Sequence, residues 1–245
     1  MSNPPNGLAY SAAVAVLRPL LTAATSREWR GMENIPRTGG FVAVANHLSY
    51  VDPLVLGHFI HDCGRAVRYL AKASLFEVPL LGRFLRSAGQ IPVYRGQRRA
   101  GDSLEEACVA VERGECVVIM PEGTITRDPD LWPMVGRSGA ARVALRTGCP
   151  VIPLGQWGPQ DLLAPYSKRL RLLPRKAMKV LAGTPVDLDE WRGLDLTPKI
   201  ARLATERIMK RITSLVEELR AEAAPVERFD PVKAGLPPTG NPHKR

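Results

Sequence analysis

Residues 41–45, Phe-Val-Ala-Val-Ala, form an apolar run with no alternation of polar and apolar side chains. A strand with one wet face alternates; one that does not is buried on both faces and needs helices above and below it. Two more such runs follow, "CVVIM" (116–120) and "VIPL" (151–154). Between and after them the pattern turns helical. "DSLEEACVAVERG" carries Ser103 and Glu106 at capping-box spacing and Gly114 as a stop, and "SGAARVALRTG" again ends in glycine. Thr197-Pro198 opens a long segment with Ile200, Leu203, Ile212, Leu215 and Leu219 on one face. Pro53 to Ile60 and residues 78–89 read as shorter helices, 67–76 begins as a strand, and "QIPVYR" is extended. Strands alternating with helices predict an α/β fold: a single domain whose central mixed sheet is flanked by helices.

A chain of 245 residues fits one such domain, which we place at 31–224. Residues 1–30 are set apart as an N-terminal amphipathic, membrane-associating helical segment. "LAYSAAVAVLRPLLTAA" (8–24) is apolar, but Arg18-Pro19 interrupts it and it falls short of the ~20 residues that span a bilayer. Arg27, Trp29 and Arg30 beyond it have the character favoured at headgroup depth. The Pro-rich, basic residues 225–245 read as disordered. The net charge of +10 suits an anionic partner: nucleic acid, an anionic membrane surface or phosphorylated substrates. Aromatic content of 6% and the lack of any nucleic-acid-binding module set nucleic acid aside. Cys63, Cys108, Cys116 and Cys149 show no C-x-x-C spacing, so neither a disulfide framework nor a metal site is expected, although "HFIHDC" superficially imitates one.

Chemistry concentrates where the apolar runs end. "NHLSYVD" follows the first, at the strand-to-helix boundary where open α/β sheets place ligands. Asp52 has two readings. With Ser49 it has capping-box spacing; with His47 it is an acceptor that fixes the imidazole tautomer and leaves the other nitrogen as a base. "MPEGT" (120–124) follows the second run and taken alone reads as an ordinary turn; alternatively, Gly123 admits close backbone approach and Thr124 adds a hydroxyl, a combination suited to phosphate oxygens. Arg95, with Arg98 and Arg99 close behind, reads either as part of a solvated basic loop or as the fork that grips phosphate, and Lys72 is similarly open.

These stretches together resemble the glycerolipid acyltransferases of the 1-acyl-glycerol-3-phosphate (lysophosphatidic acid) acyltransferase family. "NHLSYVD" is similar to its N-H-x-x-x-x-D block, "GQIPVYR" to its arginine block, "PEGT" to its P-E-G-T block and "CPVIPLG" to its proline-bearing block, in that order, over Gly31 to Gly183. Met120 stands where the family usually has Phe, and Ile125-Thr126-Arg127 where a basic residue often follows the threonine directly, so Arg127 is a substitute candidate. The resemblance implies transfer of a fatty acyl group from acyl-CoA or acyl carrier protein to the hydroxyl of a lysophospholipid, with no cofactor and no metal. It implies His47 and Asp52 as the catalytic pair, Arg95, Gly123 and Thr124 as phosphate contacts, Glu122 as a supporting group and Lys72 as a further contact. It further implies peripheral attachment to the cytoplasmic face of the cell membrane. The alternatives are another lysophospholipid or hydroxylated lipid as acceptor, or a non-catalytic binder of anionic lipid.

Overall fold

The structure, a computed structural model, describes residues 8–93, 100–237 and 240–242. In chain order its elements are α1 (Leu8–Ala24), β1 (Thr25–Arg30), β2 (Phe41–Ala45), α2 (Asp52–Asp62), β3 (Val67–Lys72), α3 (Leu81–Ser87) and β4 (Ile91–Val93). There follow α4 (Ala100–Glu112), β5 (Cys116–Ile119), α5 (Gly139–Thr147), β6 (Val151–Trp157), α6 (Pro159–Leu162), β7 (Lys176–Ala182) and α7 (Pro198–Arg220). The seven strands make one mixed sheet in the order β1-β7-β6-β2-β5-β3-β4. All neighbouring pairs are parallel except β6 with β7.

The unalternating run is the centre of this sheet: every residue of β2 is fully buried. Its pleat divides the two layers expected of it. Val42 and Val44 face a core built with α4, α5 and α7, while Phe41, Ala43 and Ala45 face one built with Val55, Leu56, Phe59 and Ile60 of α2. The Thr197 hydroxyl accepts the Ile200 N–H at 3.2 Å, capping α7 as the sequence predicts, and Ile212, Leu215 and Leu219 of its apolar face are buried.

Three expectations are corrected. Ser103 and Glu106 make no capping box, because α4 starts at Ala100 and the Ser103 hydroxyl donates to the Pro92 carbonyl at 2.8 Å instead. Residues 25–30 do not belong with the terminal helix. They form β1, an edge strand in register with β7 from Thr25↔Lys176 to Arg30↔Leu181, so the domain begins before residue 31. Trp29 therefore packs edge-on against Phe59 and donates its indole N–H to Asp62 at 3.0 Å, rather than serving as a headgroup anchor. Finally, 225–237 is laid on the domain. The Val135 N–H donates to the Phe229 carbonyl at 3.1 Å and Arg228 pairs with Glu206 at 2.7 Å, contacts that hold a segment whose prolines already restrict it.

Helix α1 continues through Pro19 and rests against β1, α2 and α3, with Arg18 paired to Asp62 at 3.1 Å. Its opposite face leaves Val16 and Leu20 in solvent. Among the described residues no helix is long and apolar enough to cross a membrane.

The layer made by α7 depends on close approach at Gly155 of β6. A β-carbon there would stand 2.8 Å from the Leu215 Cβ and 2.9 Å from its carbonyl carbon. Gly155→Ala is expected to destabilise the fold by ~1–3 kcal/mol, read as a lower urea midpoint with unchanged slope.

Candidate active site

His47 and the "PEGT" turn occupy the C-terminal ends of the adjacent parallel strands β2 and β5, and Lys72 ends β3 beside them. Two buried amides fix where the chain leaves β2. The Asn46 side chain donates to the Gln156 carbonyl at 3.1 Å and accepts the Gln156 N–H at 2.9 Å, and the Gln156 side chain donates to the Asn46 carbonyl at 2.7 Å. The next residue is held from both sides by the loop after β5. The His47 N–H donates to Glu122 Oε1 at 2.8 Å, and its carbonyl accepts the Thr126 N–H at 2.7 Å.

Of the two sequence readings of Asp52, the pairing with His47 holds, and of the box with Ser49 only the carboxylate half is made. Its Oδ2 accepts the Leu48 N–H at 2.5 Å and the Ser49 N–H at 2.9 Å, and lies 2.7 Å from His47 Nδ1. The Ser49 hydroxyl takes no part in a box; it donates to the Leu163 carbonyl at 2.6 Å. Asp52 is fully buried, whereas the His47 side chain keeps 18% of its surface. A carboxylate that accepts two N–H bonds offers an acceptor to Nδ1, so Nδ1 carries the hydrogen and Nε2 the lone pair.

His47 stands on the wall of a cavity of about 1120 Å³. Its lining includes Ala13, Val14, Leu17 and Leu21 of α1 with Leu75 and Phe84, together with Arg18, His58 and His61; Gly123, Thr124, Arg137, Lys168 and Lys72 also stand on the wall.

The "PEGT" loop divides its labour. Gly123, at φ +70°, closes a turn by donating its N–H to Met120 O at 3.0 Å. Glu122 lies behind the cavity wall, not on it. Its Oε2 accepts the Met134 N–H at 3.1 Å, so the carboxyl ties together the backbones of residues 47 and 134. Burial pushes this carboxyl up, to about 8, against the two N–H groups that favour its charged form; Asp52 and Asp128 add to the rise. The Thr124 hydroxyl is 3.3 Å from the Tyr166 hydroxyl, which donates to the Ile125 carbonyl at 2.6 Å.

Arg95, Arg98 and Arg99 lie outside the described residues. Arg127 does not face the cavity: it is 8% exposed and donates to the Gly240 carbonyl at 2.7 Å. The cation nearest the turn is instead Arg137, whose side chain lies across Gly123; a β-carbon on Gly123 would meet its Cδ at 2.9 Å. Sequence reasoning missed Arg137, Lys168, Tyr166 and the Asn46–Gln156 pair. Only Asn46 lies inside a recognisable block; the others arrive through folding of distant loops. His58, in the imitation metal motif, sits 3.3 Å from Arg27 and packs against Trp29, and burial lowers its pKa. Among the described residues, no three or more His, Cys, Asp or Glu group where an ion could be held.

A histidine paired with a buried aspartate, on a cavity wall at the ends of parallel strands, has the geometry a general base needs in group transfer. Residues 26–157 match the family model described as "Acyltransferase", and the chain belongs to that family of enzymes. It is 28% identical over 210 residues to the 1-acyl-sn-glycerol-3-phosphate acyltransferase of Bacillus subtilis, covering 86% of this chain and 98% of that one. It is 31% identical over 159 residues to the chloroplastic protein of that name, BAT2, from Brassica napus, covering 64% of this chain but only 44% of the relative. The crystal structure of the 1-acyl-sn-glycerophosphate acyltransferase from Thermotoga maritima superposes with a TM-score of 0.62 at 24% identity, over 88% of this chain and 84% of that one, a likeness of fold.

The Glu122 arrangement has a pH signature. The folded carboxyl titrates near 8 and the ordinary one near 4.5, so between those values the folded state binds more protons and stability falls as pH rises. Glu122→Gln carries no charge in either state. Its melting temperature is expected to vary less across that window than the wild type's, while the lost acceptor lowers stability at every pH.

Proposed function

We propose that this acyltransferase moves a fatty acyl group from an acyl thioester, acyl-CoA or acyl carrier protein, to the free hydroxyl of 1-acyl-glycerol-3-phosphate, giving phosphatidic acid. The observation that carries the proposal is the His47–Asp52 pair on the wall of a cavity lined both by apolar side chains of α1 and α3 and by the cations Arg137, Lys168 and Lys72.

His47 Nε2 takes the hydroxyl proton as the acceptor oxygen bonds to the thioester carbonyl carbon, and Asp52 stabilises the imidazolium. The tetrahedral oxyanion collapses, the C–S bond breaks, and the sulfur leaves with the proton returned from Nε2. A thiol of ordinary pKa ~8.5 is a far better leaving group than an alkoxide, so no enzyme nucleophile and no cofactor enters the scheme. The Ser49 hydroxyl, committed to the Leu163 carbonyl, is not needed.

The acceptor's phosphate is assigned to Gly123 and Thr124 with Arg137 and Lys168, and Arg95 and Lys72 are kept as further contacts, Lys72 at the end of β3. Ile125, in the place of the family's frequent basic residue, is buried. Arg137, reaching over Gly123, supplies a guanidinium where that position does not. The apolar lining from α1 takes acyl chain. Lipid substrates reside in a bilayer, and Val16 and Leu20 on the outer face of α1, with Leu80 and Phe84 around α3, supply apolar surface for peripheral attachment to the cytoplasmic leaflet.

His47→Ala is expected to lower kcat for acyl-CoA and lysophosphatidic acid by at least ~10²–10⁴-fold with vesicle binding retained; full turnover would remove the imidazole from the mechanism. Arg137→Ala is expected to raise KM for lysophosphatidic acid about tenfold or more while leaving KM for the thioester nearly unchanged. An unaltered acceptor KM would place the phosphate elsewhere.

A further inference from the structure

Residues 163–175, between α6 and β7, connect the site to solvent. The Leu163 carbonyl receives the Ser49 hydroxyl, Tyr166 reaches Thr124, and Lys168 stands on the cavity wall. The chain then swings outward through "KRLRLLPRK". Leu170, Leu172 and Leu173 are 55%, 52% and 88% exposed, an unusual setting for three leucines so close together. Between Asp161 and Asp187 there is no acidic residue, while six cations fall in the same span. Among the described residues, no carboxylate pairs with Arg169 or Arg171.

Two contacts fix the loop. The Arg171 N–H donates to the Leu162 carbonyl at 2.8 Å, and Arg175 donates to the carbonyls of Thr22 and Thr25, the latter at 2.7 Å, where α1 gives way to β1. The exposed leucines are therefore mounted beside the end of the terminal helix and next to Lys168 of the cavity wall.

We propose that the loop 168–173 is a second membrane-contact element, separate from α1, that docks on an anionic bilayer beside the cavity. Its leucines enter the acyl boundary, while Arg169 and Arg171 extend their heads to lipid phosphates above it. An acidic protein would match the cations but gives no role to three solvent-facing leucines; an anionic lipid surface matches both. The inference rests on the reading that the acceptor is drawn from a bilayer. It adds that the protein is held at two points, which keeps the Lys168 wall of the cavity turned toward the headgroups.

The test uses the full chain and sedimentation with vesicles of phosphatidylcholine, with and without phosphatidylglycerol. Each cation near an anionic surface is worth about fivefold in binding, so R169Q/R171Q is expected to weaken binding to the anionic vesicles by on the order of tenfold or more and to leave the weak neutral-vesicle binding unchanged. A Leu173→Trp variant is expected to be quenched by bilayers with brominated acyl chains. Wild-type-like binding by R169Q/R171Q, or no quenching of Leu173→Trp, overturns the proposal. So does loss of binding to acyl carrier protein alone, with vesicle binding intact. Both variants are expected to turn over a dispersed short-chain lysophosphatidic acid as the wild type does. If the wild type itself fails on that soluble substrate, the catalytic reading falls while the vesicle results still decide the loop.

Discussion

The site depends on a splice between two strand ends. Nothing within the five residues of β2 dictates where the histidine after it points; its backbone is positioned by Glu122 and Thr126, donated by the loop that follows β5. The carboxyl of Glu122 also takes the Met134 N–H, so one buried acid joins three backbone segments. Its burial is costly for a charge, and the rise of its pKa expresses that cost. Asp52 acts one layer further out, gathering two backbone N–H groups and the imidazole on a single oxygen. The geometry of the histidine–aspartate pair is thus a property of the joint between the two loops.

Around that joint the fold brings together unlike environments. Apolar side chains of α1 and α3 line the cavity, and Arg137, Lys168 and Thr124 line it too. In the proposed reaction, a substrate with a fatty tail and a phosphate would find apolar and cationic partners on the same wall as His47. Discrimination in such a site comes mainly from leaving a cation without its partner when the wrong acceptor binds.

Much of this was legible in the sequence, for identifiable reasons. An apolar run without alternation has few alternatives to a central strand, and β2 spans the expected residues 41–45. The histidine and aspartate are local, five residues apart, so their pairing is visible before folding. Strand β1 was not legible: "TSREWR" has the polar composition of an edge strand, and its pairing with β7, about 150 residues on, leaves no local trace. Ser103 misled because a box spacing inside a helix looks the same as one at its start. Arg137 and Lys168 reach the cavity from loops whose course no periodicity encodes, and Arg127, the nearer cation in sequence, is turned away toward Gly240.

The lone antiparallel neighbour, β6 with β7, carries a geometric result of its own. Because β1 follows the direction of β7, its first residue lies at the edge of the sheet from which His47 emerges. The amino-terminal helix is thereby delivered to the working end of the molecule without any long connection. Had that pairing been parallel like the rest, the helix would start from the opposite pole, a full strand length from the imidazole. The position of His47 and that of the amino-terminal helix are set together, and shifting one by evolution or design displaces the other.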